Sequence, residues 1–182
     1  MISDGFRELP EQAKELLHDA SPRLVAHLRA VHDVAWQIAD WVGRVYPAAG
    51  FDREAVLFGA ATHDIGKIIY VAELSGPGSE HEQAGYELLL SKGVPARLAR
   101  FARTHSAWTP DIELDDLLVS LADKIWKGKR VQDLEQLVTE RLAASTGQPV
   151  WEVFMGLDDF LDHIAAGAEA RLAFQAAHPV TT

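Results

Sequence analysis

Apolar residues recur at helical spacing along most of the chain, and this pattern restricts the fold more than any other feature. The segment 22–46 carries one apolar stripe made of Leu24, Val31, Val34, Ala35, Ile38, Val42 and Val45. Residues three, four, seven and eight apart lie on one face of an α-helix. No stretch shows the sustained two-residue alternation of β-branched residues that is typical of a half-buried strand. We therefore predict an all-α fold.

Capping residues and helix breakers divide this pattern into separate helices. Ser21 before Pro22 predicts an N-cap followed by proline at the first helical position. Asp52 is expected to cap a second helix, and Ser79 with Glu82 fits a capping box for a third. The predicted helices run over about 22–46, 52–63, 80–92, 95–105, 114–126, 131–146 and 149–176.

Composition limits the partners and the chemistry. The 182 residues suit one domain, 1–182, and the net charge of −10 argues against a nucleic-acid backbone or an anionic membrane as partner. Because cysteine is absent, a metal would have to be held by His, Asp or Glu. The N-terminus lacks the apolar run of a signal peptide, and no stretch of about 18 apolar residues predicts a transmembrane helix. A cytoplasmic location is expected.

Several polar residues fall on apolar helix faces. His27 lies in the stripe with Val31 and Val34, whereas His32 is about a third of a turn away from it. Asp123 lies within LLVSLADKIW (117–126), which is apolar on nearly every side and should be buried. A carboxylate buried there requires a cation or strong donors, and Lys127 or an arginine is the simplest partner.

Together with the adjacent pair at 63–64, these residues form a candidate metal-ligand set. Its members are His27, His63, Asp64, His81, His105 and Asp123. Imidazole and carboxylate ligands suit zinc, manganese, iron, cobalt or nickel. Four ligands would fill one site, and six can hold two cations that share one carboxylate.

The segments that carry this set resemble the HD superfamily of metal-dependent phosphohydrolases. They are HLRAV (27–31), THDIGK (62–67), HEQAGYELL (81–89), RTHSAW (103–108) and LADKI (121–125), in the order H…HD…H…H…D. The resemblance implies a helical bundle with an HD-type metal-binding core over 21–130 and extra C-terminal helices over 131–182. These extra helices would pack on the core or form the face of a homodimer. We expect Trp151, Phe154, Leu157 and Phe160 among them to lie in the core.

The resemblance also implies a dinuclear arrangement. His63, Asp64 and Asp123 would hold one divalent ion together with a histidine of the first long helix. His81 and His105 would complete a second site, with Asp64 bridging the two. Helical phase favours His27 as the first-helix ligand, whereas the separation from the HD pair that is usual in the family favours His32.

The implied activity is hydrolysis of a phosphate ester or anhydride in a small phosphorylated substrate by a metal-activated hydroxide, and a nucleotide is the expected substrate. Asp64 and Lys67 would be catalytic, with Gly66 letting the chain turn so that Lys67 faces the site. Lys67, Lys129 and Arg130 would bind substrate phosphates. The alternatives are a di-iron oxygenase that resembles inositol oxygenase and a non-catalytic HD domain that senses a nucleotide.

Overall fold

The computed structural model describes residues 5–181. Its α-helices are α1 (Glu11–Leu16), α2 (Pro22–Val45), α3 (Arg53–Thr62), α4 (Glu80–Ser91), α5 (Ala96–Ala99), α6 (Phe101–Thr104), α7 (Leu114–Ile125), α8 (Gln132–Thr146), α9 (Val150–Ala166) and α10 (Ala168–Ala176). Two 3-10 helices, Ile65–Ile68 and Val71–Leu74, connect α3 with α4. Residues 5–181 contain no β-strand, which confirms the all-α prediction. The short helix α1 was not predicted.

Two of the predicted helix starts are confirmed by their capping hydrogen bonds. The Ser21 hydroxyl accepts a bond from the Leu24 N–H at 3.3 Å, and the Asp52 carboxylate accepts one from the Ala55 N–H at 3.0 Å. Each side chain satisfies a backbone donor that has no partner within its helix. The start of α2 therefore follows directly from the local sequence, and so does the start of α3.

The predicted capping box at the start of α4 is wrong. The Ser79 side chain makes no capping hydrogen bond. The Glu73 carboxylate, from the preceding 3-10 helix, accepts bonds from the backbone N–H groups of Glu80 at 3.2 Å and His81 at 3.3 Å. A longer acidic side chain from outside the helix thus takes the donors that Ser79 was expected to satisfy.

Two predicted helices are interrupted. The predicted helix over 95–105 becomes α5 and α6, although Arg100 between them keeps helical backbone angles (φ −55°, ψ −32°). The predicted helix over 149–176 breaks at Gly167, where φ is −88° and ψ is 4°. The second break changes the direction of the chain, so that α10 packs against α2 as well as α9.

Helix α2 lies at the centre of the fold. It packs against α3, α7 and α10, while α8 packs between α7 and α9. One buried apolar cluster extends from Ala30 to Ile164, and a second extends from Leu9 to Ala102. The C-terminal helices therefore share the core of the segment that precedes them. No helix within residues 5–181 combines the length and the hydropathy that crossing a bilayer requires.

The outer face of α9 departs from the sequence prediction. Leu157 is buried as expected, and Phe160 is half-buried and stacks on Trp41 with ring centroids 4.5 Å apart. Trp151 and Phe154, which were expected in the core, are 69% and 45% exposed. They lie on the side of α9 that faces away from α8, and the homodimer stays a prediction.

Glycine brings the segment after α3 into direct contact with α4. A Cβ atom at Gly66 would overlap the carbonyl oxygen of His81 and would lie 2.7 Å from the backbone nitrogen of Gly85. Gly66 does not adopt the left-handed conformation. Its role is therefore this close backbone approach, and the turn expected from the sequence is not what requires glycine.

Candidate metal centre

Six side chains from five segments meet in the interior. His27 comes from α2, His63 and Asp64 from the end of α3, His81 from α4, His105 from the end of α6, and Asp123 from α7. None is more than 8% exposed. Charged carboxylates and imidazoles at this depth need a group of opposite charge or a hydrogen-bond partner. Without one, burial of the charged form costs several kcal/mol, or the pKa of the group shifts until it is neutral. The grouping of these six residues is the arrangement that helical phase predicted.

Asp64 lies between two groups of histidines. Its Oδ2 atom is 3.0 Å from His27 Nε2 and 3.6 Å from His63 Nε2. Its Oδ1 atom is 3.0 Å from His81 Nε2 and 3.5 Å from His105 Nε2. Each oxygen of one carboxylate thus faces a different pair of imidazoles, which is the geometry expected of a bridging ligand.

Two sets of potential ligand atoms result, and they share Asp64. The first consists of His27, His63, Asp64 and Asp123, and the second consists of Asp64, His81 and His105. Within each set the ligand atoms lie within 4.8 Å of one another. Asp123 Oδ1 is 3.2 Å from His63 Nε2. Each set has ligand types and a ligand number that could hold a divalent transition-metal ion.

The four imidazoles are all oriented by their second nitrogen. The Nδ1 atoms bond to the Ala60 carbonyl at 3.0 Å (His63), the Phe101 carbonyl at 3.1 Å (His105), the Gln175 side-chain oxygen at 3.0 Å (His27) and the Glu73 carboxylate (His81). An Nδ1–H that donates to such an acceptor leaves Nε2 as the free electron pair. All four rings therefore point Nε2 toward the centre, which is the atom through which each would bind a metal ion.

Within residues 5–181, two of these Nε2 atoms make no hydrogen bond of acceptable geometry, although each lies 3.0 Å from an oxygen of Asp64. They belong to His27 and His81, and both are inaccessible to solvent. Buried polar atoms in folded proteins are nearly always hydrogen-bonded, so an exception calls for a ligand or an ion. One unpartnered nitrogen lies in each ligand set. The donor set and these two atoms fit a pair of divalent ions.

The electrostatics keep both carboxylates ionised. Burial raises the pKa of Asp64, but the imidazoles of His63, His27 and His81 outweigh burial and hold that pKa well below its usual range. Burial likewise raises the pKa of Asp123, but the hydrogen bond from His63 and the charge of that ring hold it well below its usual range. Burial and the neighbouring His63 lower the pKa of His105 to about 4. Anionic carboxylates and a neutral imidazole are the metal-binding forms.

Two lysines contact the carboxylates. Lys67 Nζ lies 2.7 Å from Asp64 Oδ2, and Lys124 Nζ lies 2.6 Å from Asp123 Oδ2. Lys67 also lines the cavity next to the cluster. Sequence analysis named Lys127 as the simplest partner for Asp123, and the structure shows Lys124 in that place.

A cavity of about 520 Å³ adjoins the first ligand set. Its lining residues are His27, Lys67, Glu73, Leu74, Ser75, Gly76, Pro77, Trp126, Lys127, Leu172 and Gln175. Its size is within the range of small-molecule sites, which is about 300–1,000 Å³. The ammonium groups of Lys67 and Lys127 supply positive charge, and Trp126 supplies an aromatic surface.

Three predicted residues lie elsewhere. His32 is buried away from both ligand sets, and burial lowers its pKa to about 4. The Arg130 guanidinium pairs with Glu135, Asp158 and Asp162, and it does not line the cavity. Lys129 does not line it either. The structure therefore places His27 and not His32 in the cluster, and it separates the 129–130 pair from the cavity.

Four residues around the centre were missed by the sequence prediction as site components. Glu73 and Gln175 orient histidines, Lys124 contacts Asp123, and Lys127 lines the cavity. Lys124 and Lys127 have a sequence signal, because they follow Asp123 by one and four positions. Gln175 has none, since it lies 148 residues from its partner His27.

Comparison with known proteins agrees with this geometry. The family model of the HD domain matches residues 24–126, more than half of the chain. The matched segment begins before His27 and ends after Asp123, so it contains all six clustered residues. Neither the curated proteins nor the solved structures gave a match. The buried H…HD…H…H…D cluster and the extent of the matched segment show that the chain belongs to the HD-domain family.

Proposed function

We propose that the protein is a metal-dependent phosphohydrolase that cleaves a phosphate ester or anhydride bond in a small phosphorylated compound. The observation that carries the proposal is Asp64, whose two carboxylate oxygens face two separate groups of imidazoles. This arrangement supports two divalent transition-metal ions of the group iron, manganese, cobalt, nickel and zinc. Members of the HD-domain family are for the most part metal-dependent hydrolases.

The reaction replaces one phosphorus–oxygen bond by another. Divalent ions in this site supply a Lewis acid for the phosphoryl group and lower the pKa of a water molecule toward neutrality. The water oxygen would bond to phosphorus while the bond from phosphorus to the leaving group breaks, and the proton of the water would pass to the leaving group or to solvent. The chain itself contributes fixed ligands in a dry interior, where His63 has no exposed surface and Asp64 is 2% exposed. Fixed ligands require no rearrangement as charge develops.

The charges around the cavity favour an anionic substrate. Two divalent ions would leave about two positive charges uncompensated by Asp64 and Asp123. Lys67 and Lys127 add positive charge at the cavity wall, where ammonium groups act as point charges toward phosphate oxygens. The net charge of −10 is carried by the rest of the surface and does not oppose this local field.

The cavity wall also supports a nucleotide as the substrate class. Trp126 packs edge-on against His27, with ring centroids 4.8 Å apart, and Leu74 and Leu172 add apolar surface nearby. A base or another flat apolar group would contact these residues while its phosphate faced Lys67. A neutral polyol, the substrate type of the oxygenase alternative, would gain only hydrogen bonds from these ammonium groups, whereas a phosphate would also gain charge pairing.

The test begins with protein purified without added metal. Elemental analysis should find transition metal, and release of phosphate from a panel of nucleotides and phosphomonoesters should depend on that metal. A Lys127→Met variant should raise KM for the phosphorylated substrate, whereas Lys92→Met, a change on the exposed surface, should leave it unchanged. Iron with a mixed-valence spectroscopic signal and no phosphate release would contradict the proposal and favour oxygenation. Nucleotide binding without turnover would favour a sensor.

A further inference from the structure

Helix α10 contributes to the site although it lies outside the family match. The match ends at residue 126, and α10 spans Ala168–Ala176. Nevertheless Leu172 and Gln175 of this helix line the cavity beside the first ligand set. The C-terminal helix is thus a wall of the candidate active site.

Gln175 makes a specific contact with a candidate ligand. Its side-chain oxygen lies 3.0 Å from His27 Nδ1. The acceptors for His63, His105 and His81 come from residues 60, 101 and 73, all inside the matched segment. His27 alone among the four clustered histidines is oriented by a residue from outside it. Without this acceptor, its ring would have no hydrogen-bond partner that fixes its tautomer.

Buried and semi-buried arginines fix α10 in the position that this contact needs. Arg171, 6% exposed, donates from Nε to the Trp126 carbonyl at 2.5 Å, directly after the helix that carries Asp123. Arg23, at the start of α2, donates from Nε to the His178 carbonyl at 2.6 Å. Its backbone N–H bonds to the Pro179 carbonyl at 2.9 Å. The tail is therefore anchored to the start of α2, which supplies His27 to the first set, and to the end of α7, which supplies Asp123.

We propose that Gln175 is a positioning residue that sets the metal affinity of the His27 ligand set. It does so by holding the His27 proton on Nδ1, so that the Nε2 lone pair faces Asp64. The inference rests on the proposed metal-dependent function, and it adds a control point for the site outside the family's shared segment. A glutamine can accept or donate, so it fixes the tautomer less strictly than the Glu73 carboxylate fixes His81.

The test compares three variants of the full-length protein. Gln175→Met removes the acceptor at similar side-chain length, Gln175→Glu keeps an acceptor at the same place, and Gln136→Met makes the same chemical change on an exposed face of α8. Binding of Mn²⁺ is measured by calorimetry. We expect Gln175→Met to bind Mn²⁺ at the ligand set that contains His27 about 10–100-fold more weakly, which is the usual effect when a metal ligand loses its outer hydrogen bond. Gln175→Glu should bind at least as tightly as the unaltered chain, and Gln136→Met should bind equally.

A second measurement reports on the ring itself. Nitrogen NMR of His27 in chelator-treated protein should show the Nδ1–H form in the unaltered chain and in Gln175→Glu, and loss of that form in Gln175→Met. A merely structural role for Gln175 would leave the tautomer unchanged. Equal Mn²⁺ affinity in Gln175→Met and the unaltered chain, or an unchanged His27 tautomer, overturns the inference while the proposed function stands. Absence of Mn²⁺ binding by the unaltered chain overturns the proposed function instead.

Discussion

The metal centre and the Arg130 cluster are built from similar charged groups, yet their surroundings differ. Arg130 bonds to both oxygens of Glu135 at 3.0 and 2.8 Å and reaches Asp158 at 2.6 Å. Side-chain exposure there is 31% for Arg130 and 39% for Asp158. In the candidate metal centre, by contrast, the Asp64 side chain is 3% exposed, and within residues 5–181 the Nε2 atoms of His27 and His81 make no hydrogen bond of acceptable geometry, although each lies 3.0 Å from an Asp64 oxygen.

The difference distinguishes an ion-pair network from a binding site. In the Arg130 cluster the guanidinium donors are satisfied by carboxylates. The hydrogen bond to Glu135 is the largest cause that raises the pKa of Arg130 above its usual value, and Asp158 raises it further. In the metal centre the chain supplies oriented lone pairs and leaves two of them unpartnered in a buried place. Burial together with incomplete pairing marks the cluster that requires a ligand.

The largest effect is expected from removal of the Asp64 carboxylate, which both ligand sets share. Asp64→Ala should abolish metal binding. It should also lower turnover by more than the roughly 100-fold that is typical when a residue that hydrogen-bonds to a metal ligand is replaced. Elemental analysis and phosphate release measure the two effects. Asp162→Ala, in the Arg130 cluster, is the matched control and should keep both properties. Retention of metal by Asp64→Ala would contradict the assignment of the site.

His32, a buried histidine outside the candidate site, should make the folding stability depend on pH. Burial, assisted by Arg7 and opposed by Asp33, lowers the pKa of His32 to about 4 from an unfolded value near 6.5. The unfolded chain therefore binds more protons between these values, and stability falls as pH decreases through that window, by at most about 3 kcal/mol. Denaturant unfolding in chelator should show a smaller acid loss for His32→Gln than for the unaltered chain. Parallel pH profiles for the two proteins would count against a buried neutral His32.

Removal of metal should lower the thermal stability only of proteins in which the candidate metal centre is intact, whatever the state of the Arg130 cluster. A metal that binds only the folded chain stabilises it by about 2.7 kcal/mol when its free concentration is a hundred times Kd. For a chain of this size, Tm should then fall by roughly 5–10 °C in chelator. Calorimetry should show this shift in the unaltered chain and in Arg130→Met, and no shift in Asp64→Ala. A shift that persists in Asp64→Ala would place the stabilising metal somewhere else.

The smallest effect is expected from the Arg130 cluster itself. Arg130→Met should cost about 1 kcal/mol or less, since exposed ion pairs contribute little and are screened by salt. KM and kcat should not change, because Arg130 does not line the cavity. Chemical denaturation and steady-state kinetics measure these quantities. A raised KM would restore the sequence prediction that Arg130 binds substrate phosphate.

The sequence predicts the centre well where local geometry controls side-chain direction. Helical phase correctly placed His81, His105 and Asp123 on buried faces, and phase was a better guide than sequence separation in the choice of His27 over His32. Phase succeeds because a helix fixes the direction of each Cβ atom. Separation along the chain carries less information, since it does not specify which face of a helix a residue occupies.

Prediction fails where the direction depends on distant packing. Glu73 reaches the start of α4 only because the loop between its 3-10 helix and α4 folds back, and Gln175 reaches His27 only because the chain bends at Gly167. The position of Arg130 away from the cavity has the same origin, since its acidic partners Asp158 and Asp162 come from α9, about 30 residues later.

The contact between Gly66 and α4 has a consequence for how this site can change over generations of mutation. Gly66 and Gly85 meet backbone to backbone, and the Cβ of any other residue at position 66 would overlap the His81 carbonyl. The distance between Asp64 and His81 is therefore fixed by main-chain packing and is independent of which ligands the two segments carry. Ligand residues can be exchanged one at a time on this frame, and a new metal preference can arise without moving a helix. Substitution of Gly66 would instead displace the whole of α4. Gly66 therefore tolerates substitution least, although its side chain takes no part in the chemistry.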